Sequence, residues 1–172
     1  MDKLFIETDR FIITEFNESM IESVHKNSLD EDNRRFVPDE VFETMDEARD
    51  IVQLFLEWYK NERAPLVYAI VLNNGVNIGY VQAVPIYEAE WEIGYHIARE
   101  YTGNGYATDA VKAFLPVIMG RLSLDKVIGV CLSENIASCR VLEKCGFVLK
   151  HTGQDNYQGQ SLNVCHYIYH AV

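Results

Sequence analysis

Tyr101-Thr102-Gly103-Asn104-Gly105-Tyr106-Ala107 is the segment of this sequence best suited to chemistry. Two glycines one residue apart let a backbone come close to an anion. Upstream, Trp91 to Ile97 is an apolar, aromatic-rich run that reads as a strand. Downstream, Ala107, Ala110, Val111, Phe114, Leu115 and Ile118 recur at helical spacing. A glycine loop between a strand end and a helix start is a phosphate cradle. Its N–H groups face the ligand, and the helix dipole favours negative charge. By itself the motif is weak, because most Gly-x-Gly pairs are simply turns. A nucleotide-binding P-loop would follow its glycines with Lys-Ser/Thr, and Tyr106-Ala107-Thr108 lacks the lysine.

The elements around this loop can be read from periodicity and caps. Residues 4–16 alternate as one strand. Asn17 or Ser19 caps a helix over about 18–29, with Met20, Ile21 and Val24 on its inner face. The polar stretch Asp30 to Asp39 reads as a connection ending near Pro38. Thr44-Met45-Asp46-Glu47 is a capping box, opening a helix with Ala48, Ile51, Val52, Phe55 and Tyr59 on one side. Leu66–Leu72 and Asn77–Ile86 form a hairpin about Asn73-Asn74-Gly75. The helix after Gly105 is expected to run to about Arg121, with Pro116 predicting a kink or an early end. Lys126–Leu132 reads as a buried strand, and residues 135–145 as a short helix with Gly146 at C′. Two terminal strands, about 147–153 and 161–170, turn near Tyr157-Gln158-Gly159. The order β-α-α-β-β-β-α-β-α-β-β is a mixed α/β sheet, expected to form a single domain over 1–172.

A second segment, Glu134-Asn135-Ile136-Ala137-Ser138-Cys139-Arg140-Val141-Leu142-Glu143-Lys144-Cys145-Gly146-Phe147, follows downstream. Together the two segments resemble the GNAT superfamily of acetyl-CoA-dependent N-acetyltransferases. Glu92-Ile93-Gly94-Tyr95, the Tyr-x-Gly-x-Gly-Tyr-Ala-Thr-Asp-Ala run from Tyr101, the Asn-x-x-Ser from Asn135, and Glu143-Lys144-Cys145-Gly146-Phe147 are similar to its ribosomal-protein (RimJ/RimL-like) branch. Ile6-Glu7-Thr8-Asp9-Arg10-Phe11-Ile12-Ile13 is similar to the first strand of that branch. The resemblance covers nearly the whole chain and implies a GNAT-like acyl-CoA N-acyltransferase fold.

The resemblance also implies roles. Backbone N–H groups along Tyr101, Thr102, Gly103, Asn104, Gly105, Tyr106 and Ala107 would bind the pyrophosphate of acetyl-CoA, the one cosubstrate expected, without a metal. Glu100 stands where the family carries Gln or Arg, and an acid there must point away from a diphosphate. Glu92 matches the strand-four glutamate that takes the amine proton, and a carboxylate in a partly apolar cleft has its pKa raised toward neutrality. His96, two residues along the same strand face, is the rival base, and Glu92 could equally be a solvated residue pairing with a cation. Asn135 would hydrogen-bond the pantetheine arm and Ser138 would reach the sulfur, although Asn135 also suits a helix N-cap. Leu142 occupies the position of the usual Tyr acid, so Ser138 is expected to stabilise the leaving thiolate. A backbone N–H near Ile97, where the family's strands splay, would face the acetyl oxygen. Phe36, Trp58, Tyr80, Tyr87 and Trp91 are candidates for an acceptor pocket or for core.

Bulk properties narrow the function without choosing an acceptor. The 172 residues carry 15 Lys plus Arg against 26 Asp plus Glu, a net charge of −11, which disfavours sequence-independent nucleic-acid binding. Such a charge suits a cationic amine, and it equally suits general solubility. No apolar stretch reaches the roughly 18 residues of a membrane span, and no signal-peptide pattern follows Met1-Asp2-Lys3. Cys131, Cys139, Cys145 and Cys165 have no Cys-x-x-Cys spacing and read as buried reduced thiols of a cytoplasmic protein. The expected activity is N-acetylation of a primary amine, foremost a protein N-terminal α-amine. Alternatives are a small amine (polyamine, amino sugar or antibiotic) as acceptor, or a non-catalytic acyl-CoA-binding protein. Expected partners are the amine acceptor, no nucleic acid and no membrane, with the chain a monomer or homodimer.

Overall fold

The computed structural model describes residues 3–61, 63–87 and 90–171. Eight strands form one sheet in the order β1-β2-β3-β4-β5-β6-β8-β7. They are β1 (Phe5–Glu7), β2 (Phe11–Glu15), β3 (Leu66–Leu72), β4 (Asn77–Tyr87), β5 (Glu90–Ile97), β6 (Lys126–Leu132), β7 (Val148–Tyr157) and β8 (Gln160–His170). Every neighbouring pair is antiparallel except β5–β6, which is parallel. The helices are α1 (Ile21–Ser28), α2 (Glu31–Phe36), α3 (Met45–Trp58), α4 (Tyr106–Leu122) and α5 (Ile136–Lys144). No helix among the described residues is long and apolar enough to cross a membrane.

The centre of the sheet is buried on both faces. Along β3, Leu66, Tyr68 and Ile70 pack with Phe114 and Ile118 of α4 and Leu142 of α5. The alternating Val67, Ala69 and Val71 pack with Val52 and Phe55 of α3 and with Phe16. A strand covered on both sides therefore reads as one continuous apolar run. The α3 capping box forms as read, with Thr44 Oγ1 accepting from Glu47 N–H and Glu47 accepting from Thr44 N–H. Gly146 closes α5 at φ +88°, and Phe147 N–H donates to Leu142 O at 3.1 Å.

Four readings change. The single strand over 4–16 is a hairpin, because Thr8 Oγ1 accepts from Phe11 N–H at 3.0 Å and turns the chain at Thr8-Asp9-Arg10. The supposed connection after Asp30 contains α2. Asp30 Oδ1 caps it by accepting from Asn33 N–H at 2.7 Å, with acids in its first turn and Arg34 and Arg35 in its last. The early end expected at Pro116 does not occur, since α4 continues to Leu122. Pro116 and Lys112 both lie on the exposed side of α4, so the carbonyl left without its helical donor can bond to water. The last hairpin is longer than read and turns on Gln158 (φ +50°) and Gly159 (φ +79°), the two positive values a tight hairpin needs. All four cysteines are free and buried.

Candidate active site

The site begins where the sheet comes apart. Strands β5 and β6 share a single paired position, Glu92 with Ile128, and beyond it the two backbones separate. On the other side β5 stays paired with β4 down to Gly79–Ile97, and Ala98 N–H donates to Ile78 O at 2.8 Å. Antiparallel ladders alternate between bonded and non-bonded pairs. The Ala98–Ile78 bond therefore turns the N–H groups of Ile97 and Tyr95 away from β4 and into the gap. Gly79 tolerates this crossing alone: at φ +152°, a Cβ there would lie 2.0 Å from His96 O. A cleft of about 1440 Å³ runs through the gap, from the α4–α5 face of the sheet to the α1–α2 face.

The glycine loop forms one mouth of this cleft. Gly103 and Gly105 have φ +77° and +79°, and the first turn of α4 has no side-chain cap. The N–H groups of Tyr106, Ala107 and Thr108 thus lack intrahelical partners and point outward, as a diphosphate requires. Tyr101, Thr102, Gly103, Gly105, Tyr106 and Ala107 line the cleft, together with Ile97 and Asn135. Asn104 turns back instead, its Nδ2 donating to Tyr101 O at 3.2 Å and Thr102 O at 3.0 Å. Arg10, from the first hairpin, joins the loop without any local sequence signal. Its guanidinium donates to Asn104 O at 2.9 Å, pairs with Asp109 at 2.7 Å and lies 4.0 Å over the Tyr106 ring. It both braces the loop and neutralises the one carboxylate in the first turn of α4. Glu100 points away from the loop, pairing with Lys26 of α1 at 2.9 Å.

On the α5 side, Asn135 caps the helix, its Oδ1 accepting from Ser138 N–H at 3.2 Å. This leaves the amide N–H₂ available to a ligand. Ser138 Oγ lies 3.0 Å from the Tyr95 hydroxyl, which also donates to Ser138 O at 2.9 Å. Burial pushes the Tyr95 phenol well above its ordinary range, so it remains a donor. Leu142 is 1% exposed, and its Cδ2 lies 2.7 Å from where a Cβ on Gly129 would sit, so that position belongs to the core. The side chain that meets Ser138 comes from β5 instead.

The opposite mouth of the cleft is acidic. Glu92, Glu40, Asp39, Asp32 and Glu134 line it. Burial, with the nearby Glu40 charge adding to it, pushes the Glu92 carboxyl up to about 7. Glu92 has no hydrogen-bond partner among the described residues. His96 shares its strand face and is held by Asp30, Nε2 to Oδ2 at 3.2 Å, with Tyr80 against its ring at 5.8 Å. Burial opposes the Asp30 charge, but the His96 bond and the Asn33 N–H keep its carboxyl below the usual range. Of the aromatic candidates, Phe36, Trp58, Tyr80 and Tyr87 line the cleft, whereas Trp91 packs into the core on the other face.

A strand gap beside an uncapped glycine loop suits a long phosphorylated thioester threaded through a sheet. The family described as acetyltransferase (GNAT) domain matches residues 10–148. The chain belongs to the GNAT family of N-acetyltransferases. As a GNAT enzyme it is 28% identical over 144 residues to an uncharacterized N-acetyltransferase of Bacillus subtilis (strain 168), YnaD, covering 83% of this chain and 82% of that one. A GNAT-family acetyltransferase from Bacillus anthracis superposes with TM-score 0.84 at 23% identity, over 97% and 98% of the two chains. RimL, described as a ribosomal L7/L12 α-N-protein acetyltransferase and solved with coenzyme A, superposes with TM-score 0.82 at 20% identity, over 97% and 98%. These likenesses at low identity speak for the shared fold. The GNAT family uses acetyl-CoA as acetyl donor, and the gap and loop described above fit that molecule.

Proposed function

We propose that this acetyltransferase acts on a protein N-terminal α-amine, with Glu92 as base and Ser138 assisting the leaving thiolate. The observation that carries the reading is a partly buried carboxyl at the strand gap, raised to about 7 and free of partners. An α-ammonium with a pKa near 8 lies about one unit above it, whereas a lysine ammonium near 10.4 lies about 3.4 units above. At about 1.36 kcal/mol per unit, proton transfer to Glu92 is uphill by ~1.4 kcal/mol for the α-amine and ~4.6 for lysine. The base is thus matched to an α-amine. The sequence motifs of the ribosomal-protein branch support the same acceptor, and RimL is described as an α-N-protein enzyme.

The thioester supplies the acetyl carbon, and the chain does the rest. Tyr106, Ala107 and Thr108 N–H groups hold the diphosphate at the head of α4, and Asn135 steadies the arm that enters the gap. Glu92 removes one proton from the nitrogen, which frees its lone pair to form the N–C bond as the C–S bond breaks. The Ile97 N–H, turned into the gap, faces the charge that grows on the acetyl oxygen. A second proton leaves the nitrogen and ends on sulfur, whose transient charge Ser138 Oγ meets with Tyr95 behind it. Mass spectrometry on peptides with a free N-terminus and an internal lysine tests the acceptor. Acetyl at the α-nitrogen is expected. Modification of lysine alone, or of small amines but no peptide, refutes it.

A further inference from the structure

Glu40 has no assigned role and an unusual environment. It ends a 3-10 turn, Pro38–Glu40, that follows α2 and faces the acidic mouth of the cleft. Its Oε2 is shut off from solvent and has no hydrogen-bond partner. A buried carboxylate oxygen left without a donor works against the stability of the fold. The fold holds it there all the same. The His96–Asp30 pair fixes the start of α2 to β5, Tyr157 donates to Phe36 O at 3.2 Å, and Arg35 pairs with Glu134 at 3.2 Å. These ties place the Glu40 segment over β5 from three sides. Below it, Gln82 extends across Gly94, where a Cβ would meet Gln82 Nε2 at 2.7 Å, and its amide steadies the Glu40 carboxylate.

We propose that Glu40 captures the acceptor as an ammonium ion, holding it against Glu92, so that the enzyme accepts cationic primary amines with no carboxylate beside them and rejects free α-amino acids. The proposal rests on the acetyl-transfer reading of the same site. An ammonium offers three N–H donors, and the Glu40 and Glu92 carboxylates, which both line the cleft, offer acceptors. One N–H passes its proton to Glu92, leaving a neutral amine and a neutral Glu92, while a second N–H stays bonded to Glu40. A free amino acid would bring its own carboxylate against Glu40 and Asp39, an unscreened like-charge contact. A peptide N-terminus carries an amide there and escapes it.

The groups that face this pair are Asp39 on the same turn, His96 on β5 and Tyr157 on β7; Gln82 is neutral. Burial raises the Glu40 carboxyl, and His96 and Gln82 partly oppose that. Two carboxylates in one pocket give up their last proton late. A cation between them must therefore draw that proton off at lower pH.

The test uses alaninamide and alanine as probe amines with the whole chain. In free-thiol release, the wild type should prefer alaninamide to alanine by at least about tenfold in kcat/KM. Glu40→Gln should raise the KM for alaninamide by about tenfold, or ~1.4 kcal/mol, keep kcat within about threefold and shrink that preference. Glu40→Asp should recover part of the KM. Carboxyl-carbon NMR of glutamate-labelled protein gives a readout that needs no turnover. The Glu92 midpoint should fall in Glu40→Gln, and should fall in the wild type, but not in the variant, when alaninamide is added. A folded Glu40→Gln protein with KM within twofold of wild type and an unmoved Glu92 midpoint overturns the proposal. So does a wild-type midpoint indifferent to alaninamide. Absence of thiol release with a ligand-sensitive midpoint counts against the acetyl-transfer reading and for the capture.

Discussion

Replacing Glu92 with glutamine removes the base and keeps its shape, so the effect on rate can be worked from its surroundings. With the carboxyl at about 7, roughly a tenth of Glu92 is ionised at pH 6 and nearly all of it at pH 8. Wild-type kcat/KM should therefore climb about fivefold from pH 6 to 7 and close to tenfold by about pH 8, and then level. In Glu92→Gln the proton must leave before binding, and turnover should drop by ~10² or more at neutral pH. Above about pH 8 an α-amine deprotonates unaided, so the deficit should narrow there. Steady-state thiol release with a peptide acceptor over about pH 6–9, alongside calorimetry showing unchanged acetyl-CoA affinity, separates base chemistry from binding. A variant with near-wild-type rate and the same pH profile refutes the assignment and returns the role to His96 or to water. The same substitution has a stability signature of definite sign. Glu92 is raised in the folded chain from 4.5 to about 7, so the native state holds the proton more tightly than the unfolded one. Its contribution is fully present below about pH 4.5 and falls away as pH rises to about 7, by up to ~3 kcal/mol. Wild-type stability relative to Glu92→Gln should thus decline across that window in denaturant titrations. A constant difference would mean that the carboxyl is not raised.

Gly105→Val forces a β-branched residue to φ +79°, and in a protein still folded by circular dichroism should weaken acetyl-CoA binding at least about tenfold by calorimetry. Unchanged affinity would remove the loop from the site. Arg10→Ala frees the Asp109 carboxylate beside the α4 N-terminus and should weaken acetyl-CoA by roughly 5–20-fold, more at low salt than at high. Equal weakening at all salt concentrations would point to bracing rather than charge. Ser138→Ala should lower turnover by roughly 5–50-fold with little change in acetyl-CoA binding, because sulfur accepts hydrogen bonds weakly. Turnover within twofold of wild type would leave the serine a helix-turn residue only.

What could be read from sequence was whatever chemistry or periodicity is contiguous along the chain. The loop from Tyr101 to Ala107 carries its own glycines and its own helix start, and β3, β4 and α3 announce themselves by burial pattern and caps. The hairpin in residues 4–16 leaves little trace in the sequence because its turn uses a threonine hydroxyl instead of glycine, proline or asparagine. Helix α2 is short, and only its Asp30 cap and its charge gradient mark it. Arg10 reaches the cofactor loop from the other end of the fold, a contact no local pattern encodes. Tyr95 is legible in the sequence: strand alternation puts it on the face opposite Glu92 and His96, toward α5, the helix in which Leu142 holds the position of the usual Tyr acid. Glu40 lay in a stretch that reads as a polar connection, and its importance comes from the residues folded around it.

The single pairing between β5 and β6 also divides the molecule dynamically. Backbone amides of β3 and β4 sit in ladders on both sides and exchange with solvent only through large openings, whereas those of Tyr95 and Ile97 face water across the gap. The proposed reaction centre is therefore expected to be the fast-exchanging seam of the sheet. A thioester laid in the gap would supply the acceptors that β6 withholds, completing the sheet as a missing strand would. Slowed exchange at those few amides would then report occupancy of the donor site before any acceptor is known.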